Sequence, residues 1–406
     1  MVLNSKWKPV LHDKLLENAQ EIIFTIADSL IEVHAVPIDQ ALFFGYLYLA
    51  TGNSYYLTES RKRLDRALDS CPKAISTIRL FGGLAGIGWI MDHLKRYVFM
   101  QEVDEDFMQE VDEILLNALE EDSWSGHYDL IQGVVGIGVY FLERYAENKV
   151  TKNTLERIFY HIVNLAEIDT NGARWYVSPN FIDSRALKNY PDGRYDFGVA
   201  HGIPAVIAMI ARLIENQVLS REQLTFFHNS LTWFFTQKNN NNEKSMFPTF
   251  ISPGNKSRNQ SRIAWCYGDM GISTVLYQSG NCVGDKALMT FAEELADKCM
   301  ARPYDETGIV DAGLCHGSSG VAHMFSRLFH STGYTKYQDA AVFWFIKTMD
   351  LRRKTGLAGY QSLTREGENK WVNDPTFIAG VSGIGLALIA ATTTIEPKWD
   401  KLLLLS

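Results

Sequence analysis

A short phrase recurs along the chain: a glycine, two residues, a second glycine or close variant, then a run of small and aliphatic side chains. It reads Gly83-Leu-Ala-Gly86, Gly133-Val-Val-Gly136, Gly202-Ile-Pro-Ala205, Gly268-Asp-Met-Gly271, Gly317-Ser-Ser-Gly320 and Gly380-Val-Ser-Gly383, with a degenerate first copy at Gly45. Such self-similarity marks a repeat architecture, because each unit buries its apolar face only by stacking on its neighbours. Second amphipathic segments lie between copies, for example at 64–67, 115–119 and 291–295, so each unit reads as a pair of helices. Near the N-terminus, Leu15, Leu16, Ala19, Ile22, Ile23, Ile26 and Leu30 follow the same three-and-four spacing. The glycine-led helices are too apolar to face water and belong inside. Their glycines are expected to permit the sharp turn into each helix and the close approach of neighbouring helices. The expected fold is all-α: an α/α toroid of seven inner and seven outer helices.

The repeat intervals are uneven, which predicts loop insertions at 169–195 and 237–261. Only the first carries a strand signal, at 174–178, enough for a small β element. Neither reads as a separate domain, so residues 1–406 are expected to form one. Composition agrees, with 46% apolar and 21% charged residues excluding wholesale disorder. The formal charge of −8, without a basic run, argues against a nucleic-acid partner. No secretory signal opens the chain. The longest apolar stretch, 377–391, is interrupted by Ser382 and glycines and falls short of the roughly 20 residues a bilayer crossing needs, so no transmembrane segment and a cytoplasmic location are expected.

Counting back from the first glycine of each unit brings out the chemistry, because equivalent positions in a closed ring lie at one end of it. Cys266 and Cys315 stand two residues before their glycines, and His201 and His316 one before. Asp129 stands four before Gly133, and Arg262 six before Gly268. Other units mostly carry apolar side chains in the two slots before the glycine: Phe43, Phe44, Phe81, Ile131, Ile378 and Ala379. Two thiolates and an imidazole, from Cys266, Cys315 and His316, are the ligand set of a catalytic zinc site with an open fourth position. Binding one ion through adjacent Cys315 and His316 requires an irregular turn before Gly317, since helical neighbours point about 100° apart. Cys71, Cys282 and Cys299 share no such register and read as packing residues. His323 reads as an inter-helix hydrogen-bonding residue, and His127, in the slot of Arg262, is left without a role.

Three segments, Ala264-Trp-Cys-Tyr-Gly268, Cys315-His-Gly317 and Val199-Ala-His-Gly202, resemble the signatures of the lanthionine synthetase C-like family. The resemblance spans the whole chain. It implies zinc held by Cys266, Cys315 and His316, and functional roles for Asp129, His201, Arg262 and Tyr267. It also implies the reaction: Michael addition of a peptide cysteine thiol to dehydroalanine or dehydrobutyrine, giving lanthionine or methyllanthionine rings. The implied partners are a dehydrated precursor peptide, with a lanthipeptide dehydratase and an exporter at the inner face of the membrane. Two departures stand out, Pro204-Ala205 in the fourth unit and Asp269-Met270 in the fifth. Asp269 is expected to place a negative group near the metal. Rival readings are an enzyme that adds glutathione to dehydroamino acids, a metal-free toroidal glycosidase using Asp129 and Asp269, and a non-catalytic peptide-binding scaffold.

Overall fold

The computed structural model of the chain describes all residues except 1–6, 34–36, 75–76, 100–104, 121, 185, 221, 241, 254–258 and 365–369. Side chains at 70–74 also lie outside the description, and with them that of Cys71. Among the described residues, fourteen α-helices follow in chain order: α1 (Asp13–Ile31), α2 (Gln40–Thr51), α3 (Ser54–Ala74), α4 (Leu84–Leu94), α5 (Glu105–Glu120), α6 (Val134–Tyr145) and α7 (Lys152–Asn164), then α8 (Ile203–Glu215), α9 (Leu224–Thr236), α10 (Asp269–Val283), α11 (Lys286–Met300), α12 (Ser318–Thr332), α13 (Thr335–Asp350) and α14 (Val381–Thr392). The even-numbered helices pack successively on one another, and α14 returns to α2, closing an inner ring. Each inner helix is backed by the helix that follows it, except α14, whose outer partner is α1. Inner helices are buried almost throughout, whereas outer ones such as α1 and α5 bury a single face. This is the expected α/α toroid.

The glycines work differently from expectation. The first glycine of each phrase precedes its inner helix in extended backbone, as at Gly133 (φ −112°) and Gly317 (φ −109°), which needs no glycine on conformational grounds. The reason is steric. The loop before each inner helix hooks over its first turn, so that the N–H groups of Leu84, Val134, Asp269, Ser318 and Val381 donate to carbonyls seven residues earlier. These backbone bonds satisfy orphan donors that side-chain caps would otherwise serve. A Cβ at Gly317 would lie 2.2 Å from the Gly313 nitrogen, and one at Gly320 would lie 1.9 Å from the Leu314 oxygen. Close approach between inner helices falls to a third glycine, since Gly88 meets Tyr140, Gly138 meets Met209 and Gly385 meets Phe43.

In the first unit the register also shifts. The helix begins after Asp39, which occupies the first-glycine position, and Gly45 lies inside α2. The slots equivalent to the cysteine and histidine positions are therefore Pro37 and Ile38, not Phe43 and Phe44.

Three two-stranded antiparallel pairs decorate the ring. Strands β1 (Ala166–Asp169) and β2 (Gly172–Trp175) form a hairpin at the first insertion. Strand β3 (Tyr195–Asp196) pairs with β4 (Phe250–Ile251), so the two expected insertions join each other. A third hairpin, β5 (Ser362–Thr364) with β6 (Lys370–Val372), precedes α14 and was not expected.

The C-terminal turn, Lys398–Leu403, enters the lumen. Its bonds reach different sides of the ring: Asp400 accepts from His323 Nε2 (2.7 Å) and Arg327 Nε (2.5 Å) on α12, while Lys401 Nζ lies 3.1 Å from Glu143 on α6. Trp265 Nε1, in the loop before α10, donates to the Leu403 carbonyl at 2.9 Å. Burial opposes ionisation of Asp400, but Arg327 and His323 together outweigh it and hold the carboxyl at about 2. Its contribution to stability is therefore complete above the ordinary carboxylate value and is lost as the pH falls toward about 2. Asp400→Ala leaves the Arg327 charge buried and is expected to cost about 3–5 kcal/mol in urea unfolding at neutral pH.

Candidate metal centre and active site

The loops before the inner helices meet at one end of the ring and bond to one another. Cys315 N donates to Ile378 O (2.8 Å), Cys266 N to Cys315 O (3.1 Å) and Ala200 N to Cys266 O (3.4 Å). Phe81 N donates to Ile131 O (3.3 Å), and Phe377 N to the Asp39 carboxylate (2.8 Å). This belt brings residues far apart in sequence to one mouth.

Within it, ligand atoms of Cys266, Cys315 and His316 all lie within 4.8 Å of one another, and no fourth Cys, His, Asp or Glu joins the group among the described residues. Cys315 and His316 sit in the irregular turn before Ser318, which frees them from helical divergence. Their chemistry fits a zinc ion: two sulfurs and one imidazole, with a position left open. Cys266 is held well below the ordinary thiol value by the hydrogen bond from Cys315, against burial, with His316 and Arg262 adding to the effect. Cys315, as the donor, is pushed up. By contrast, burial pushes Cys282 up to about 12 and Cys299 well above its usual value, as expected for packing thiols.

Asp311, missed in the sequence, lies 3.2 Å from His316 Nε2 and also accepts from Leu363 N of the β5–β6 hairpin at 3.3 Å. Burial lowers the His316 pKa, but Asp311 and Cys266 outweigh it and hold it at about 9. A carboxylate on the far nitrogen of a metal-binding imidazole fixes its tautomer and raises its basicity. Asp311→Asn is expected to weaken zinc affinity about 10–100-fold in chelator competition while leaving the fold intact.

Beside these ligands, His201 Nδ1 lies 2.5 Å from Asp129 Oδ2. The other Asp129 oxygen accepts from Gln132 N (2.8 Å), and His127 Nδ1 accepts from Asp129 N (3.0 Å), so the carboxylate is fixed by its own loop. Burial lowers the His201 pKa, but Asp129 outweighs it and raises the value above the ordinary one. His201 is partly exposed, with Tyr267 stacked against it at 6.0 Å. The Tyr267 hydroxyl donates to buried Asp196 (3.1 Å), leaving the chamber only its acceptor lone pairs.

Arg262, Cys266, Tyr267 and His316 line a chamber of about 610 Å³, together with Thr249, Phe250 and Gln260 of the second insertion. Among the described residues the Arg262 guanidinium has no ion pair. Asp269 does not approach the metal group: it is fully buried, accepting from Met246 N, Phe247 N and Arg302. That removes the carboxylate pair a glycosidase reading needs.

The signal for Asp196 and Asp311 was present. Both stand six residues before their glycines, the slot of His127 and Arg262, and that slot is polar in six successive units: Thr77, His127, Asp196, Arg262, Asp311 and Asp374.

Fold and site together define an α/α toroid with a Cys-Cys-His group and a His-Asp pair at its mouth. A family model, lanthionine synthetase C-like protein, matches residues 40–404, and the chain belongs to that family. Nisin biosynthesis protein NisC from Lactococcus lactis subsp. lactis is 25% identical over 317 residues, covering 69% of this chain and 71% of that protein. The solved structure of nisin cyclase superposes with a TM-score of 0.75 at 18% identity, over 97% of this chain and 98% of that one. An α-mannanase from Bacteroides thetaiotaomicron reaches a TM-score of 0.50 at 10% identity over 86% of this chain and 98% of its own, a likeness of fold alone. No described helix is long and apolar enough to cross a membrane.

Proposed function

We propose that this chain is a zinc-dependent lanthipeptide cyclase that closes thioether rings in a dehydrated precursor peptide. The observation that carries the reading is the convergence of Cys266, Cys315 and His316, from two separate repeats, beside the His201–Asp129 pair. Cys266, Cys315 and His316 would hold a zinc ion, which supplies a Lewis acid able to keep a peptide thiol deprotonated near neutral pH, where a free one is only a few per cent ionised. The thiolate adds to Cβ of the dehydro residue, forming the C–S bond and placing the electron pair on the enolate. His201 then delivers its proton to Cα. Asp129 holds the imidazole in orientation and favours its protonated form. Arg262, without an ion pair among the described residues, meets the enolate oxygen as negative charge develops there. Tyr267 keeps the His201 ring in place by stacking.

The fold supports reading residues 1–406 as one domain, since α1 completes the outer layer and the C-terminal turn fills the lumen. Location in the cytoplasm, and partnership with a dehydratase and an exporter, complete the proposal through the family relationship.

Mass spectrometry after thiol alkylation tests the reaction. A dehydrated precursor is expected to lose its alkylatable thiol with no change in mass. A gain equal to one glutathione, seen only when glutathione is added, would assign the addition reaction instead.

A further inference from the structure

A second cavity, of about 520 Å³, opens among the same loops on the side of the ring formed by the first, second and seventh units. Its chemistry is the opposite of the metal chamber's. Ile38, Phe81, Ile87, Phe377 and Ile378 supply its walls, and among the described residues lining it Asp39 is the only charged one. A cavity this size is within the usual range for ligand pockets. It lies next to the reacting centre, because the carbonyl of wall residue Ile378 binds the backbone N–H of Cys315 at 2.8 Å. A peptide held at the metal chamber therefore passes within reach of this apolar opening.

The geometry points to this cavity as a specificity subsite that takes an apolar side chain of the substrate peptide from a position flanking the ring-forming residues, and that turns away an acidic one through Asp39. This rests on the cyclase reading proposed above. Asp39 is already under strain as a charge. Burial pushes its carboxyl up to about 7, relieved only in part by the bond from Phe377 N, and one of its oxygens has no hydrogen-bond partner. A second carboxylate in the same space would raise that cost, whereas an aliphatic or aromatic side chain adds contact with the walls without disturbing it.

The experiment compares dehydrated peptides that differ only in the two residues flanking dehydrobutyrine: both leucine, both glycine or both glutamate. Binding is measured by fluorescence anisotropy on zinc-loaded protein, with serine replacing the peptide cysteine so that no ring can form. The leucine peptide is expected to bind about tenfold or more tighter than the glycine peptide, the ratio that burial of one such side chain supplies, and the glutamate peptide more weakly than either. Ile38→Trp fills the cavity from a partly exposed loop position. It is expected to erase the leucine advantage while leaving zinc content and glycine-peptide binding unchanged. Thr376→Trp, from another wall, repeats the test if the first variant does not fold. Asp39→Asn is expected to relieve the penalty on glutamate. Equal binding of leucine and glycine peptides to the unaltered protein, or a leucine advantage that survives both filled variants, overturns the subsite. Turnover of the cysteine-containing glycine peptide reports on the reaction separately, so absent ring closure with an intact leucine preference overturns the cyclase reading and not the pocket.

Discussion

Cys315→Ala is expected to take zinc from about one ion per chain to nearly none and to abolish ring closure. The residue is one of the three proposed protein ligands, and its replacement leaves a thiol and an imidazole, too few to hold a catalytic zinc ion. Loss of ionisation alone costs the attacking thiol roughly thirtyfold at pH 7, given an ordinary pKa of about 8.5. Loss of orientation adds to that, so an overall drop of about 10³-fold or more is expected. Metal analysis of the purified variant and alkylation of the peptide product measure the two losses independently. Because Cys315 N also bonds Ile378 O through the backbone, the belt at the mouth survives the change, and a cooperative unfolding transition should remain.

His201→Asn is expected to keep its zinc and still lose about 10²–10⁴-fold in kcat, the usual contribution of a placed general acid. Retention of metal separates this residue from the ligands. The raised pKa of His201 gives a signed pH dependence: in the proposed mechanism the protonated imidazole is the active form, so the rate is expected to fall as the pH rises through that shifted value. Asp129→Asn removes the charge that raises it. The alkaline limb of the rate profile should then move to lower pH by about one unit or more, with zinc content unchanged. Equal turnover by His201→Asn would remove the residue from the mechanism.

Much of this was legible because the repeats carry their own alignment. The glycine phrase fixed the inner helices and placed Cys266, Cys315, His201 and His316 in shared slots, so their meeting at one mouth followed from ring closure. Asp129 and Arg262 could be placed by the same counting, and a carboxylate at Asp129 is suited to orienting the His201 imidazole, as the structure shows. That Arg262 takes no anion among the described residues depends on how the loops fold over the helix ends.

What the sequence concealed has physical reasons. Asp269 looked free to face the metal because it opens an inner helix, yet the second insertion bends back to bury it against Arg302 and two backbone N–H groups. Asp311 and Asp196 stand in a polar slot farther back than the two nearest the glycine, where the metal group and His201 lie. Of the polar residues in the lumen, only His323 stood out in the sequence, as an inter-helix hydrogen-bonding residue. The lumen's ionic cluster comes from single polar residues on α6 and α12 that pair with Asp400 and Lys401, and no periodicity links residues so distant. The glycines were correctly singled out, although their space is taken by the hooked loops more than by turn geometry.

X-ray absorption at the zinc edge, recorded on the purified protein before and after adding the dehydrated precursor, tests the central claim most directly. Two sulfur neighbours and one imidazole alone, rising to three sulfurs with peptide, is the expected result. A metal surrounded by oxygen, or a sulfur count that stays the same while rings form, would contradict the role assigned to Cys266, Cys315 and His316.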